Sequence, residues 1–171
     1  RLERAGFEGV IVENFGDDLN VKQTERPTPG QHQALVRLIS TGVCHTDLHA
    51  AEGDWPIKPS PPFVPGHEGV GVVEEVGPDV TEVKVGDTVG NAWLWSACGH
   101  CEHCRTGWET LCEQQLNGGY STDGSFGEYM LVDARYAPII PEGSDPYEVG
   151  PVLFAGVAAH KGLKRRPGER R

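Results

Sequence analysis

Short runs of alternating apolar and polar residues make up most of the chain, and the period lengthens only near its C-terminal end. Residues 7–14 read as a strand, and so do residues 32–40, where Ala34, Val36 and Leu38 recur at the two-residue period of a strand. Arg26-Pro-Thr-Pro-Gly30 lies between them and reads as a turn. Residues 69–76 (Gly-Val-Gly-Val-Val-Glu-Glu-Val) are rich in β-branched side chains and predict a buried strand, closed by a turn at Gly77-Pro78. Residues 87–90, 126–132 and 136–140 predict further short strands. Residues 44–52 have helical composition and stop at Gly53, and residues 145–163 set Ala, Leu and Val at helical spacing. Many short strands, Gly/Pro turns and two or three helices predict a mainly β fold with a few short helices, in the form of a small, partly open β-barrel.

Composition narrows the class. The chain has 171 residues, enough for one domain, and its 23 Gly and 13 Pro agree with frequent turns. At 37% hydrophobic and 23% charged it can bury a core, which argues against disorder. No run approaches the roughly 18 apolar residues of a membrane span, and no secretory leader is visible, so a soluble, cytoplasmic protein is expected. A net charge of −10 makes nucleic acid an unsuitable partner. That charge is uneven: residues 161–171 carry six basic side chains and one acid, which leaves −15 on residues 1–160. The basic segment reads as a solvated tail, with a functional arm as the alternative. Because the chain begins at Arg1, its true start is expected to be missing or processed.

Five cysteines change the picture more. Cys98, Cys101, Cys104 and Cys112 follow a C-x2-C-x2-C-x7-C spacing, and Cys44 stands alone. Four thiolates this close suit one tetrahedral zinc ion at roughly 2.3 Å per sulfur, and an odd, clustered set without a leader does not suit a disulfide framework. His100 and His103 lie among these ligands and are expected to be exposed bystanders. A lobe over about residues 95–115 is therefore predicted around a structural zinc.

A second constellation is Cys44-His-Thr-Asp-Leu-His49 with Gly66-His-Glu68 about twenty residues later. A thiolate and an imidazole from separate elements would be two ligands of an open zinc site that polarises an oxygen. Thr46 and His49 are three apart, on one side of a helical turn, and could pass a proton outward. Asp47 could accept a hydrogen bond from the second nitrogen of His67. The same residues also read as ordinary core and surface groups.

Together Gly42-Val-Cys-His-Thr-Asp-Leu-His49, Pro65-Gly-His-Glu-Gly-Val-Gly-Val-Val73, the four-cysteine lobe, Val85-Gly-Asp-Thr-Val89 and Gly124-Ser-Phe-Gly-Glu-Tyr129 resemble zinc-dependent alcohol dehydrogenases of the medium-chain dehydrogenase/reductase family. The resemblance implies a GroES-like catalytic domain over residues 1–160, two zinc ions, and hydride transfer between a small primary or secondary alcohol and NAD. It implies that Cys44 and His67 hold catalytic zinc with Glu68 close behind, and that Thr46 and His49 relay the alcohol's proton. His45 would lie near the cofactor pyrophosphate. Trp55 and Trp93 would wall the substrate pocket, although either could be a packing aromatic.

Two departures qualify this expectation. The family's third ligand to catalytic zinc is a cysteine in a segment like Pro-x-x-Cys-Ala-Gly-Val, and here Pro151-Val-Leu-Phe154-Ala-Gly-Val157 puts a phenyl ring in its place. Glu68 could swing in as a substitute. No G-x-G-x-x-G occurs, so the nucleotide-binding domain is expected to be absent and the isolated chain inactive; apolar residues around 151–157 would then be open to self-association or to a separate nucleotide-binding chain. The competing expectation is a zinc-stabilised module without activity, in which Phe154 fills the lost metal pocket.

Overall fold

The structure is a computed structural model, and it describes residues 6–164. Arg1 and the last seven residues of the basic segment lie outside the described residues. In chain order the elements are β1 (Gly6–Ile11), β2 (Asn20–Glu25), β3 (Gln33–Thr41), α1 (His45–Glu52), β4 (Gly69–Val76), β5 (Thr88–Gly90), β6 (Leu94–Ser96), α2 (Glu102–Arg105), β7 (Leu116–Asn117), β8 (Tyr129–Asp133), α3 (Pro146–Val149) and α4 (Ala155–Lys164). Two 3-10 turns, Glu109–Leu111 and Gly150–Leu153, complete the order.

β3 is the organising strand. It lies inside an antiparallel sheet of order β5-β4-β3-β8, pairing Val36 with Val73 on one side and with Met130 on the other. Ala34, Val36, Val73, Val89, Met130 and Val132 pack into one buried cluster. Leu35, between two of them, is also fully buried, so this stretch of β3 is covered on both faces. β1 and β2 form a separate hairpin, and β6 pairs with β7. The mainly β architecture with few short helices is as expected. The three sheets are open, however, and do not close into a barrel. Isolated bridges (Gly9 with Gly127, Val12 with Phe63, Val89 with Ile139) stitch them together where continuous strands would be needed for closure.

Several boundaries differ from the sequence pattern, each for a local reason. The strand expected over residues 136–140 shrinks to the bridge at Ile139. Tyr136 and Ala137 turn their N–H groups back onto the Asp133 carbonyl (2.9 and 3.0 Å), and Pro138 has none to offer. The helical stretch expected over residues 145–163 breaks into α3, a 3-10 turn and α4, because Pro151 interrupts the backbone ladder. Asp145 caps α3 by accepting from Tyr147 N at 2.9 Å. α4 continues to Lys164, past the tail boundary expected at residue 160. Lys161 is docked, with Nζ 3.2 Å from Thr110 Oγ1 and 5.0 Å from the Trp108 ring centroid. β2 has a polar sequence and becomes a strand only by pairing with β1.

Two features position the site. A second core of Val12, Ala50, Ala51, Phe63 and Tyr120, with Phe15, Trp55 and Trp93 against it, fixes α1 to the loops around it. The loop that carries His67 is zipped to the segment before β8. Gly124 N reaches Val64 O at 2.7 Å, Ser125 N reaches Gly66 O at 3.0 Å, and Phe126 N reaches Pro65 O at 3.0 Å.

Candidate functional site

β6 and β7 form the base of a lobe, and the chain between them brings four thiols together. The Sγ atoms of Cys98, Cys101, Cys104 and Cys112 all lie within 4.8 Å of one another. Cys101 and Cys104 are 3.5 Å apart and Cys98 and Cys104 are 3.8 Å apart. A tetrahedron with metal–sulfur arms of roughly 2.3 Å has edges near 3.8 Å, so the four sulfurs fit one zinc ion. Backbone N–H groups of Cys98, Cys101 and Gln114 point at sulfur (3.5, 3.4 and 3.4 Å), as befits atoms that carry negative charge. Hydrogen bonds from the His100 and Cys101 backbone lower the Cys98 thiol to about 6. Desolvation and the Cys101 thiol push Cys104 up to about 12. One charge is thus accommodated easily and further ones are resisted until a cation arrives. None of the five cysteines is disulfide-bonded. His100 and His103 are exposed, and His100 Nδ1–H donates to the Cys98 carbonyl at 2.8 Å.

Cys44 is the N-cap residue of α1, and Asp47 is the third residue of the helix. Asp47 is buried and uses both oxygens: Oδ2 accepts from Cys44 N at 3.0 Å, and Oδ1 lies 2.8 Å from His67 Nδ1. A carboxylate only accepts, so the His67 proton belongs on Nδ1. Nε2 is then a bare lone pair. His67 is 1% exposed, and its Nε2 has no hydrogen-bond partner. An orphaned, buried, oriented imidazole nitrogen is the donor that a metal takes.

Phe154 packs edge-on against that ring, with centroids 4.7 Å apart at 90°, and Trp93 does the same at 5.4 Å and 84°. Glu68 is buried as well, and burial raises its carboxyl above the ordinary value. Its carboxylate lies against Gly42, where an added Cβ would stand 2.1 Å from Oε2, and it accepts from the Ala155 backbone. Among the described residues, the four-cysteine cluster is the one group in which three or more ligand atoms lie close enough to share an ion. Cys44, His67 and Glu68 do not form such a group.

On α1, His45 is exposed, and Thr46 and His49 are half-buried. The His45 and His49 rings meet edge-on at 4.8 Å. Trp55 and Trp93 approach each other at 5.9 Å, and Tyr120, which the sequence did not suggest, is the third member of this wall at 5.4 Å from each. Its hydroxyl donates to the Ile57 carbonyl. Nothing in the local sequence, a lone tyrosine after two glycines, marks it. These aromatics line one side of an open cleft of about 1120 Å³, with Ile57, Phe63 and Asp123 also on its walls.

A mainly β domain with a four-thiolate lobe and an imidazole held open by a buried carboxylate defines a metal-binding domain. The chain belongs to the alcohol dehydrogenase GroES-like domain family, whose model matches residues 30–142. It is 57% identical to an alcohol dehydrogenase of Moraxella sp. (strain TAE123) over 166 residues, 95% of this chain and 49% of that protein. A solved structure of a cobalt- and zinc-bound thermostable alcohol dehydrogenase from Pyrobaculum aerophilum superposes with a TM-score of 0.87 at 32% identity, covering 95% of this chain and 49% of that one. The CAD of Helicobacter pylori complexed with NADP(H) superposes at 0.85 with 25% identity, over 94% of this chain and 49% of that one. The chain spans about half the length of the curated relatives it matches. Among the described residues, no helix is long and apolar enough to cross a membrane.

Proposed function

We propose that this chain is the zinc-binding catalytic half of an alcohol dehydrogenase, a protein that oxidises a small primary or secondary alcohol to a carbonyl compound with a nicotinamide dinucleotide as hydride acceptor. The observation that carries the reading is the buried His67 Nε2, partnerless and oriented by Asp47. When bound, zinc supplies a Lewis acid at the alcohol oxygen, and the nicotinamide supplies the hydride acceptor. Cys44 and His67 are the two ligands this chain offers to that zinc. Asp47 holds the His67 tautomer and anchors the N-terminus of α1. Thr46 and His49 carry the alcohol's proton toward solvent, and His45 lies on the side of the cofactor pyrophosphate. Trp55, Trp93 and Tyr120 exclude water from one side of the pocket. The four-cysteine lobe holds a separate structural zinc. The domain runs through α4 to Lys164, with the lobe at about 95–115.

One observation favours a second reading. Phe154 is seated 4.7 Å from the His67 ring where the third ligand is expected, and it fills space a metal ion and its ligand would take. On that reading the chain is a zinc-stabilised module without turnover.

Metal stoichiometry separates the two. Elemental analysis of chain purified without chelator is expected to give two zinc ions per chain on the first reading, the second held by Cys44, His67 and a recruited third ligand. On the second reading it is expected to give one, since two ligands alone do not hold a catalytic ion. Phe154→Cys is expected to bind a second, with a thiolate-to-cobalt absorption band after cobalt exchange that His67→Ala removes. A Phe154→Cys chain that stays at one metal ends the proposal that Cys44 and His67 are a catalytic pair. A wild type with two zincs, reduced to one by Glu68→Gln, makes Glu68 the third ligand.

A further inference from the structure

Asp54 has no role in the site as described so far, yet it holds one of its members twice. Gly53 ends α1 in the left-handed region (φ 67°) and folds the chain back on the helix. The reversal brings both Gly53 N–H and Asp54 N–H to the His49 carbonyl, at 2.9 and 3.2 Å. It also swings the Asp54 side chain onto the same residue, placing Oδ2 2.9 Å from His49 Nδ1. The ring is fixed on its other sides by His45, edge-on at 4.8 Å, and by Trp55, tilted 33° at 5.7 Å. Position and plane of the imidazole are therefore set by the turn at Gly53, the Asp54 carboxylate and the flanking His45 and Trp55 rings.

Electrostatics follow the geometry. The hydrogen bond to His49 holds the Asp54 carboxyl below its ordinary value, helped by a contact with Glu52 and by the charge of Lys58. It is thus an acceptor, and an acceptor at Nδ1 demands the imidazole proton there. The geometry points to Asp54 as the positioning residue that holds His49 in the Nδ1–H tautomer and so leaves Nε2 as its basic atom. This rests on the alcohol dehydrogenase reading only for its consequence. The alcohol O–H bond breaks, its proton passes through the Thr46 hydroxyl, and an N–H bond forms at His49 Nε2. The resulting imidazolium is paired with Asp54 until the Nε2 proton leaves to water. With the opposite tautomer Nε2 already carries its proton and cannot take another.

Long-range ¹H–¹⁵N correlation spectra of the labelled chain at alkaline pH test this, with the His49 signals assigned by loss in His49→Gln. The wild type is expected to show a protonated Nδ1 and a bare Nε2. In Asp54→Ala the Nε2 resonance is expected to move upfield by tens of ppm as the Nε2–H tautomer fills. Asp54→Asn, whose side-chain oxygen still accepts from Nδ1–H, is expected to keep the wild-type pattern. A wild-type proton on Nε2, or an Asp54→Ala spectrum identical to wild type, overturns the assignment. If Asp54→Ala does not fold, the wild-type tautomer decides alone. The measurement needs neither zinc nor nucleotide, so it stands apart from the metal stoichiometry: failure of either leaves the other intact.

Discussion

Removing metal from the four-cysteine lobe, by a strong chelator or by Cys112→Ser, is expected to unfold the lobe while the β5-β4-β3-β8 sheet persists. None of residues 99–111 is buried, so the segment has no apolar core of its own. Its order rests on sulfur, with Cys112 at 1% exposure as the anchor. A structural zinc in such a setting contributes on the order of 10 kcal/mol to local folding, far more than the two contacts of Lys161, with Thr110 and Trp108, could replace. Without the ion, four thiols within 4.8 Å cannot all ionise, and they lose the reason to converge. The base should hold, because Trp95 is buried and its Nε1–H donates to Leu131 O on β8 at 2.9 Å. Limited proteolysis should therefore cut metal-free protein between residues 99 and 111 and leave the sheet intact, and added zinc should restore resistance. Metal-free chain that resists cleavage there would refute the metal's structural role.

Gly124→Ala is expected to be the most damaging single methyl addition near the candidate active site. A Cβ at Gly124 would stand 2.1 Å from Gly66 O, 2.6 Å from Pro65 O and 2.6 Å from Gly119 Cα. All three are backbone atoms, which cannot rotate away as a side chain would. Relief requires separating the His67 loop from residues 124–126, at the expense of the hydrogen bonds that zip them. Overpacking of this kind costs about 1–3 kcal/mol and occasionally more. Each kcal/mol lowers Tm by about 2–4 °C in a domain of this size. Gly162→Ala is the control, since nothing lies within 4 Å of its added Cβ and alanine favours a helix. Calorimetry giving equal midpoints for both variants would show that the two loops are not in contact in solution.

The parts of the molecule written in short stretches of chain were legible without a fold. The two-residue period located β3 and the β-branched run located β4, because side chains alternate faces along any strand and branched ones fit its pleated surface whatever it pairs with. Cys44 and Gly53 bracket α1 as its caps, a local backbone requirement. The cysteine spacing identified the lobe, since thiolates separated by two residues have few ways to avoid one another. Where pairing partners decide the outcome, the pattern was silent or misleading. Polar β2 exists only because β1 lies beside it, and Ile139 is a bridge rather than a strand because Asp133 captures the preceding N–H groups.

The same division runs through the site. The residue types themselves (thiols, imidazoles and carboxylates at particular spacings) follow from the chain alone, and so does the presence of a phenyl ring at position 154. Their relations are tertiary. Asp47 meets His67 across twenty residues because α1 shares a core with Phe63, just ahead of the His67 loop, and that meeting leaves Nε2 bare. Glu68 follows His67 directly, yet its carboxylate lies against Gly42, since the two backbones are joined there by Gly42 N to Glu68 O at 3.0 Å. Tyr120 joins Trp55 and Trp93 from a segment with no periodicity of its own. Local preferences act between neighbours in sequence and can be read there. The direction in which a buried polar atom points depends on which distant groups remove its water, and only the folded chain brings those groups together.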